Sequence, residues 1–114
     1  MKNSMEYFTE TEKSALKQFV DLTHAALKEN LIKMELFGSK VRGNCSEGSD
    51  TDILLIVKER TIDVMDKIAE ITAELNIEYN LSISPVIFSE YEYKVNTDMA
   101  SPFSLAIEAE GVRL

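Results

Sequence analysis

Asp50 and Asp52 stand one residue apart, directly ahead of the apolar run ILLIV at residues 53–57. Residues two apart on an extended strand point to the same side of it. Two carboxylates presented together can hold Mg²⁺ or Mn²⁺ through oxygen ligands, with substrate phosphates completing the coordination. Gly38 and Ser39 lie upstream. A turn there, followed by a short helix, offers backbone N–H groups to phosphate oxygens. The Ser39 hydroxyl can add a donor, and Gly38 lets the backbone approach closely. Arg42 can contact a phosphate or pair with an aspartate. Gly43 ends the short helix, and Ser49 can orient the loop or Asp50. The whole stretch, GSKVRGNCSEGSDTDILLIV at residues 38–57, reads as a site for a nucleoside triphosphate and a divalent cation. Transfer from a triphosphate needs positioning and charge neutralisation more than covalent help.

Other residue types that could do chemistry read better as structure. Cys45 has nothing beside it to lower a thiol pKa and reads as a passive loop thiol. His24 has no acidic or cysteine partner at ligand spacing and reads as a partly buried structural residue. Glu47 reads as a loop charge. Tyr79, Tyr91 and Tyr93 read as packing, as do the five scattered methionines.

The elements that must position the aspartates follow from hydrophobic period and cap residues. Thr9 to Glu12 fits a capping box, and residues 10–29 keep Leu16, Phe19, Val20, Thr23, Ala26 and Leu27 on one side. Residues 31–37 read as a short strand broken by Gly38 and Ser39, with Ser39 capping a short helix over residues 40–43 and a polar loop over 44–49. Residues 51–57 read as a strand buried on both faces at the sheet centre. Thr61 caps a second helix to about Asn76, with Ile62, Met65, Ile68, Ala69, Thr72 and Leu75 inward. Residues 77–88 read as a third strand, where Pro85 implies a bulge, a strand end or an edge position. Ser89 caps a short helix through Val95, Ser101-Pro102 starts another, Gly111 stops it, and residues 112–114 form an extended tail. The fold class is α+β, with a small mixed sheet and helices packed mainly on one face.

Bulk properties bound the rest. The 114 residues fit one domain, residues 1–114. No apolar run approaches the roughly 18 residues of a membrane span. The opening MKNSMEYFTETEK has no apolar signal region, and a single cysteine excludes a disulfide within the chain, so a cytoplasmic protein is expected. The net charge of −8 argues against nonspecific nucleic-acid binding, which neutralises many phosphates with Lys and Arg. It leaves a nucleotide open, because a metal carries the compensating charge.

At these residues the chain resembles the minimal nucleotidyltransferases of the DNA polymerase β superfamily. Their pattern is Gly-Ser, two residues, Arg-Gly, five residues, Ser-Asp, one residue, Asp, then an aliphatic strand. Gly38-Ser39, Arg42-Gly43, Ser49-Asp50 and Asp52 match at every fixed position. The ending SPFSLAIEAEGVRL is similar to the helix-Gly-strand ending of small members. The resemblance implies Mg²⁺-dependent transfer of a nucleoside monophosphate, AMP from ATP or a counterpart from another triphosphate, to a hydroxyl of a protein or small molecule. It also implies a separate helical partner, notably a HEPN-type protein of a toxin–antitoxin pair, because no domain here holds the base and acceptor. A homo-oligomer is compatible with the sequence. There is one departure. Fully equipped members carry a third carboxylate on a later strand, and the position aligned with it is Ser82, with Ser84 next. Glu78 shares the parity of Ser82 but lies roughly 13 Å away along an extended strand. A hydroxyl is a poor base and a weaker metal ligand. The alternative function is therefore a non-catalytic module of this fold that binds and neutralises a helical partner.

Overall fold

The computed structural model describes residues 8–38, 41 and 50–114. The short helix and polar loop expected after Gly38, with Ser39, Arg42, Gly43, Cys45, Glu47 and Ser49, lie outside the described residues apart from Val41.

Helix α1 spans Glu10–Leu27. The Thr9 hydroxyl accepts from the Glu12 N–H at 3.1 Å, and the Glu12 carboxylate accepts from the Thr9 N–H at 2.8 Å. This reciprocal pair satisfies donors that no helical carbonyl can reach. A 3-10 turn at Lys28–Asn30 leads into β1, Leu31–Phe37. Strand β2 is Thr51–Val57, and α2 is Ile62–Tyr79, capped by Thr61. Strand β3, Ile83–Ser89, passes directly into α3, Glu90–Asp98, through a second capping box of Ser89 with Glu92. Helix α4, Pro102–Glu110, starts at the Ser101 cap and ends at Gly111, and Val112–Arg113 forms β4.

The sheet order is β3-β2-β1-β4. Strand β1 runs antiparallel to β2 and β4, whereas β2 and β3 are parallel. The run ILLIV is therefore central and buried on both sides, as its unbroken apolar character requires. Pro85 falls on β3 at the end of this order, where a missing N–H is tolerated. Ile53, Leu55 and Val57 point to the face covered by the two long helices, with Leu16, Phe19, Val64, Ile68 and Leu75 in the same cluster. Each such side chain contributes about 1.5–3 kcal/mol when fully withdrawn from water. Leu54 and Ile56 point the other way, onto Ile107, Phe37, Phe88, Tyr93 and Phe103. The long helices thus take one face, as expected, and the two nine-residue helices α3 and α4 cover part of the second.

Three expectations change. The buried stripe of α2 is Val64, Ile68 and Leu75. Ile62 and Met65, expected inward, are 80% and 40% exposed, and Ala69 is exposed as well. An offset of one residue turns a helix by about 100°, enough to exchange Val64 for Met65. The same helix continues to Tyr79, where Asn80 adopts the left-handed conformation (φ 54°) that asparagine tolerates at a helix end. The third strand consequently starts at Ile83 and not at residue 77, and Glu78 lies on a helix, away from any strand parity. Asn76 fixes this junction: its side chain accepts from the Ile83 N–H at 2.7 Å and donates to the Ile83 carbonyl at 3.2 Å. His24 is exposed rather than partly buried. It sits in the last turn of α1, where a basic side chain faces the negative end of the helix dipole.

Candidate functional site

Asp52 is the second residue of β2, and Asp50 immediately precedes the strand. The hydrogen-bonding register fixes what flanks Asp52. Phe37 of β1 is its partner on one side and Ser84 of β3 on the other. Paired residues project to the same face of a sheet, so the Asp52 carboxylate stands between them on the face covered further along by α3 and α4. Asp52 is half-buried and Asp50 is exposed. Phe37 is held edge-on to Phe103, with ring centroids 5.3 Å apart, and Phe103 meets Phe88 in the same way at 5.5 Å. This aromatic packing anchors Phe37, one of the two strand neighbours of Asp52.

β1 stops at Gly38, whose φ of +93° is open to glycine and strained for other residues. The reason for glycine is also spatial. A Cβ built there would overlap the Asp52 carboxylate oxygen and come within 3.2 Å of its Cγ. The chain then turns, with the Val41 N–H donating to the Gly38 carbonyl at 3.2 Å and Val41 buried in the main core. Gly38 and Asp52, fourteen residues apart in sequence, are thus brought into contact. The Gly38 N–H donates to the Glu110 carboxylate at 3.4 Å. Sequence reasoning missed Glu110. The available signal was an acidic residue at the end of a helix, where the dipole disfavours it.

Ser84 rather than Ser82 lies in register with Asp52. Ser82 precedes β3 and is exposed, and its carbonyl accepts from the Thr51 N–H at 2.8 Å. Continuing the parallel register would set Ser82 beside Asp50. Either serine presents a hydroxyl and no charge. Among the described residues no three His, Cys, Asp or Glu side chains gather closely enough to hold a metal ion. The donor set of Asp50 and Asp52 nonetheless fits Mg²⁺, which commonly takes one or two carboxylates and completes its shell with water and phosphate oxygens.

A family model described as a nucleotidyltransferase domain matches residues 16–104, from the middle of α1 to α4. The chain belongs to this family. Its nucleotidyltransferase domain is of the polymerase β superfamily. Three proteins of Methanocaldococcus jannaschii are similar to it, each bearing the name "Putative protein adenylyltransferase". The identity to MJ0141 is 37% over 76 residues, covering 66% of this chain and 77% of that one. For MJ0604 it is 31% over 87 residues, covering 75% and 83%, and for MJ1305 it is 35% over 75 residues, covering 63% and 51%. No helix among the described residues of this nucleotidyltransferase domain is long and apolar enough to cross a membrane.

Proposed function

We propose that the chain transfers AMP from ATP to a hydroxyl of an acceptor protein, with Mg²⁺. The observation that carries this reading is the contact of Gly38 with Asp52, at a strand-end turn in a nucleotidyltransferase domain. The names of the relatives support the protein acceptor. Asp50 and Asp52 hold the cation. Ser39 receives the triphosphate through its hydroxyl and its own and the following backbone N–H groups, Gly38 lets the backbone approach closely, and Arg42, Gly43 and Ser49 complete the turn and loop around it. Bound Mg²⁺ would neutralise charge on the reacting phosphate and the leaving pyrophosphate. The acceptor oxygen bonds to the α-phosphorus as the bond to pyrophosphate breaks, and the hydroxyl proton passes to water. Asp50 and Asp52 keep the triphosphate in line for that displacement. A partner of the HEPN type supplies the acceptor and the surface for the base. The test is mass spectrometry of such a partner after incubation with this chain, ATP and Mg²⁺. A gain of one AMP unit supports the reading, and an unmodified acceptor with ATP left intact contradicts it.

A second reading is favoured by Ser84, which puts a hydroxyl beside Asp52 where a carboxylate would add a metal ligand. On it, the domain binds a helical partner and neutralises it without turnover. A complex that survives Asp50→Asn and Asp52→Asn, with no pyrophosphate released, would support this reading over the first.

A further inference from the structure

We propose that Glu110 is a positioning residue of the nucleotide site, an inference that rests on the functional reading above. Its carboxylate holds the backbone of Gly38 and thereby sets the turn against which Asp52 lies. Two independent features place it there. The first is the hydrogen bond from the Gly38 N–H to the Glu110 carboxylate, at 3.4 Å. The second is connectivity. Strand β4 pairs with β1 as Leu36 with Val112 and Glu35 with Arg113, and Glu110, the last residue of α4, lies two residues ahead of Val112 and so is held near the end of β1. The carrier is firmly held. Ile107 is 3% exposed in the second core cluster, and Phe103 packs against Phe37. Gly111 closes the helix, its N–H donating to the Ile107 carbonyl at 2.7 Å. A side chain at Gly111 would collide with the Glu35 carboxylate, so the chain passes close to β1 at this point.

The last turn of α4 holds no basic residue, and an anion at the negative end of a helix dipole is unfavourable. What Glu110 does supply is an acceptor for a backbone donor at the end of β1. On the other side of Asp52, β3 carries Ser84, and Ser82 precedes that strand. Glu110 meets Gly38 from the β4 end of the strand order, whereas Ser84 flanks Asp52 from the β3 end. Because the turn meets phosphates in ground state and transition state alike, loosening it weakens nucleotide binding more than it slows the chemical step.

The test combines Gly38 amide exchange, read by NMR on the full chain, with titration of a fluorescent ATP analogue in Mg²⁺. The variants are Glu110→Ala and Glu110→Gln. The glutamine keeps a carbonyl acceptor at the same reach. Glu110→Ala is expected to speed Gly38 exchange and weaken Mg-nucleotide binding, each by about 10-fold. Leu54 exchange should be unchanged, and Glu110→Gln should stay close to wild type in both. Unchanged Gly38 exchange in Glu110→Ala, with wild-type nucleotide binding intact, overturns the inference alone. Equal acceleration at Leu54 reduces the role to general stability and overturns it. A Glu110→Gln variant as impaired as Glu110→Ala makes the charge, not the acceptor, essential and also overturns it. Failure of the wild-type chain to bind Mg-nucleotide overturns the functional reading, and the nucleotide-site role of Glu110 with it.

Discussion

Gly38 and Asp52 occupy the same small space: the carboxylate of one fills the volume that a side chain on the other would need. The pairing couples a backbone conformation to an acid. At φ +93° an alanine is strained by roughly 1–3 kcal/mol before any collision is counted. Gly38→Ala should therefore lower the free energy of unfolding by about that amount and displace Asp52. Urea titration reads the first effect. Loss of Mg²⁺-dependent ATP-analogue binding reads the second, and unaltered binding would mean that the contact is incidental.

The register of Asp52 with Ser84 gives a prediction that needs no turnover. A carboxylate introduced at Ser84 lies roughly 4.8 Å away across a strand pair. Without metal the two charges repel, so Ser84→Asp should melt at a lower temperature than wild type in EDTA. Mg²⁺ should restore the loss, because binding to the folded state adds stability by mass action. Ser82→Asp, outside β3 and exposed, should show a smaller response. Identical Mg²⁺ responses in the two variants would remove the distinction between the positions.

Thr23 is fully buried against the core, and among the described residues its hydroxyl has no hydrogen-bond partner. Valine has the same shape without the polar atom. Thr23→Val should raise stability by about 1 kcal/mol, seen as a higher urea midpoint at unchanged slope.

Arg60 and Glu92 form a two-pronged ion pair, with Nε to Oε1 at 2.8 Å and Nη2 to Oε2 at 2.5 Å. The hydrogen bond from Arg60, helped by that from the Ser89 N–H and opposed by desolvation, lowers the Glu92 pKa to about 2. A depressed folded-state value means that the stabilisation is present above the unfolded glutamate pKa and is lost as pH falls through the folded one. Acid unfolding should show this contribution fading between about pH 4.5 and pH 2. Glu92→Gln should flatten that limb while leaving stability near pH 7 only slightly lower, because the pair is partly exposed and screened.

Much of this was legible before any coordinates. The edge strand of Pro85 is one of the three places that its missing N–H allowed. The bounds of β1 and β2, the caps at Thr9, Thr61, Ser89 and Ser101 and the stop at Gly111 all follow from residue types with sharp local preferences. The α2–β3 junction did not. Ile77-Glu78-Tyr79 alternates apolar and polar residues, which suits a strand as well as a helix end. The choice is made by Asn80 in the left-handed region and by the two bonds from Asn76 to Ile83. At the site, the apolar run after Asp52 predicts the strand that the structure shows, with Asp50 just ahead of it. The hydrogen bond between Gly38 and Glu110 was not legible, because it joins residues far apart in the chain.

The central claim is that Asp52 holds the cation for transfer from ATP. Pyrophosphate release from ATP and Mg²⁺, in the presence of a helical acceptor partner, tests it most directly when wild type is compared with Asp52→Asn. The account predicts a loss of at least about 100-fold, or roughly 2.7 kcal/mol of transition-state stabilisation, with the fold retained by circular dichroism. Release by Asp52→Asn at the wild-type rate would contradict it.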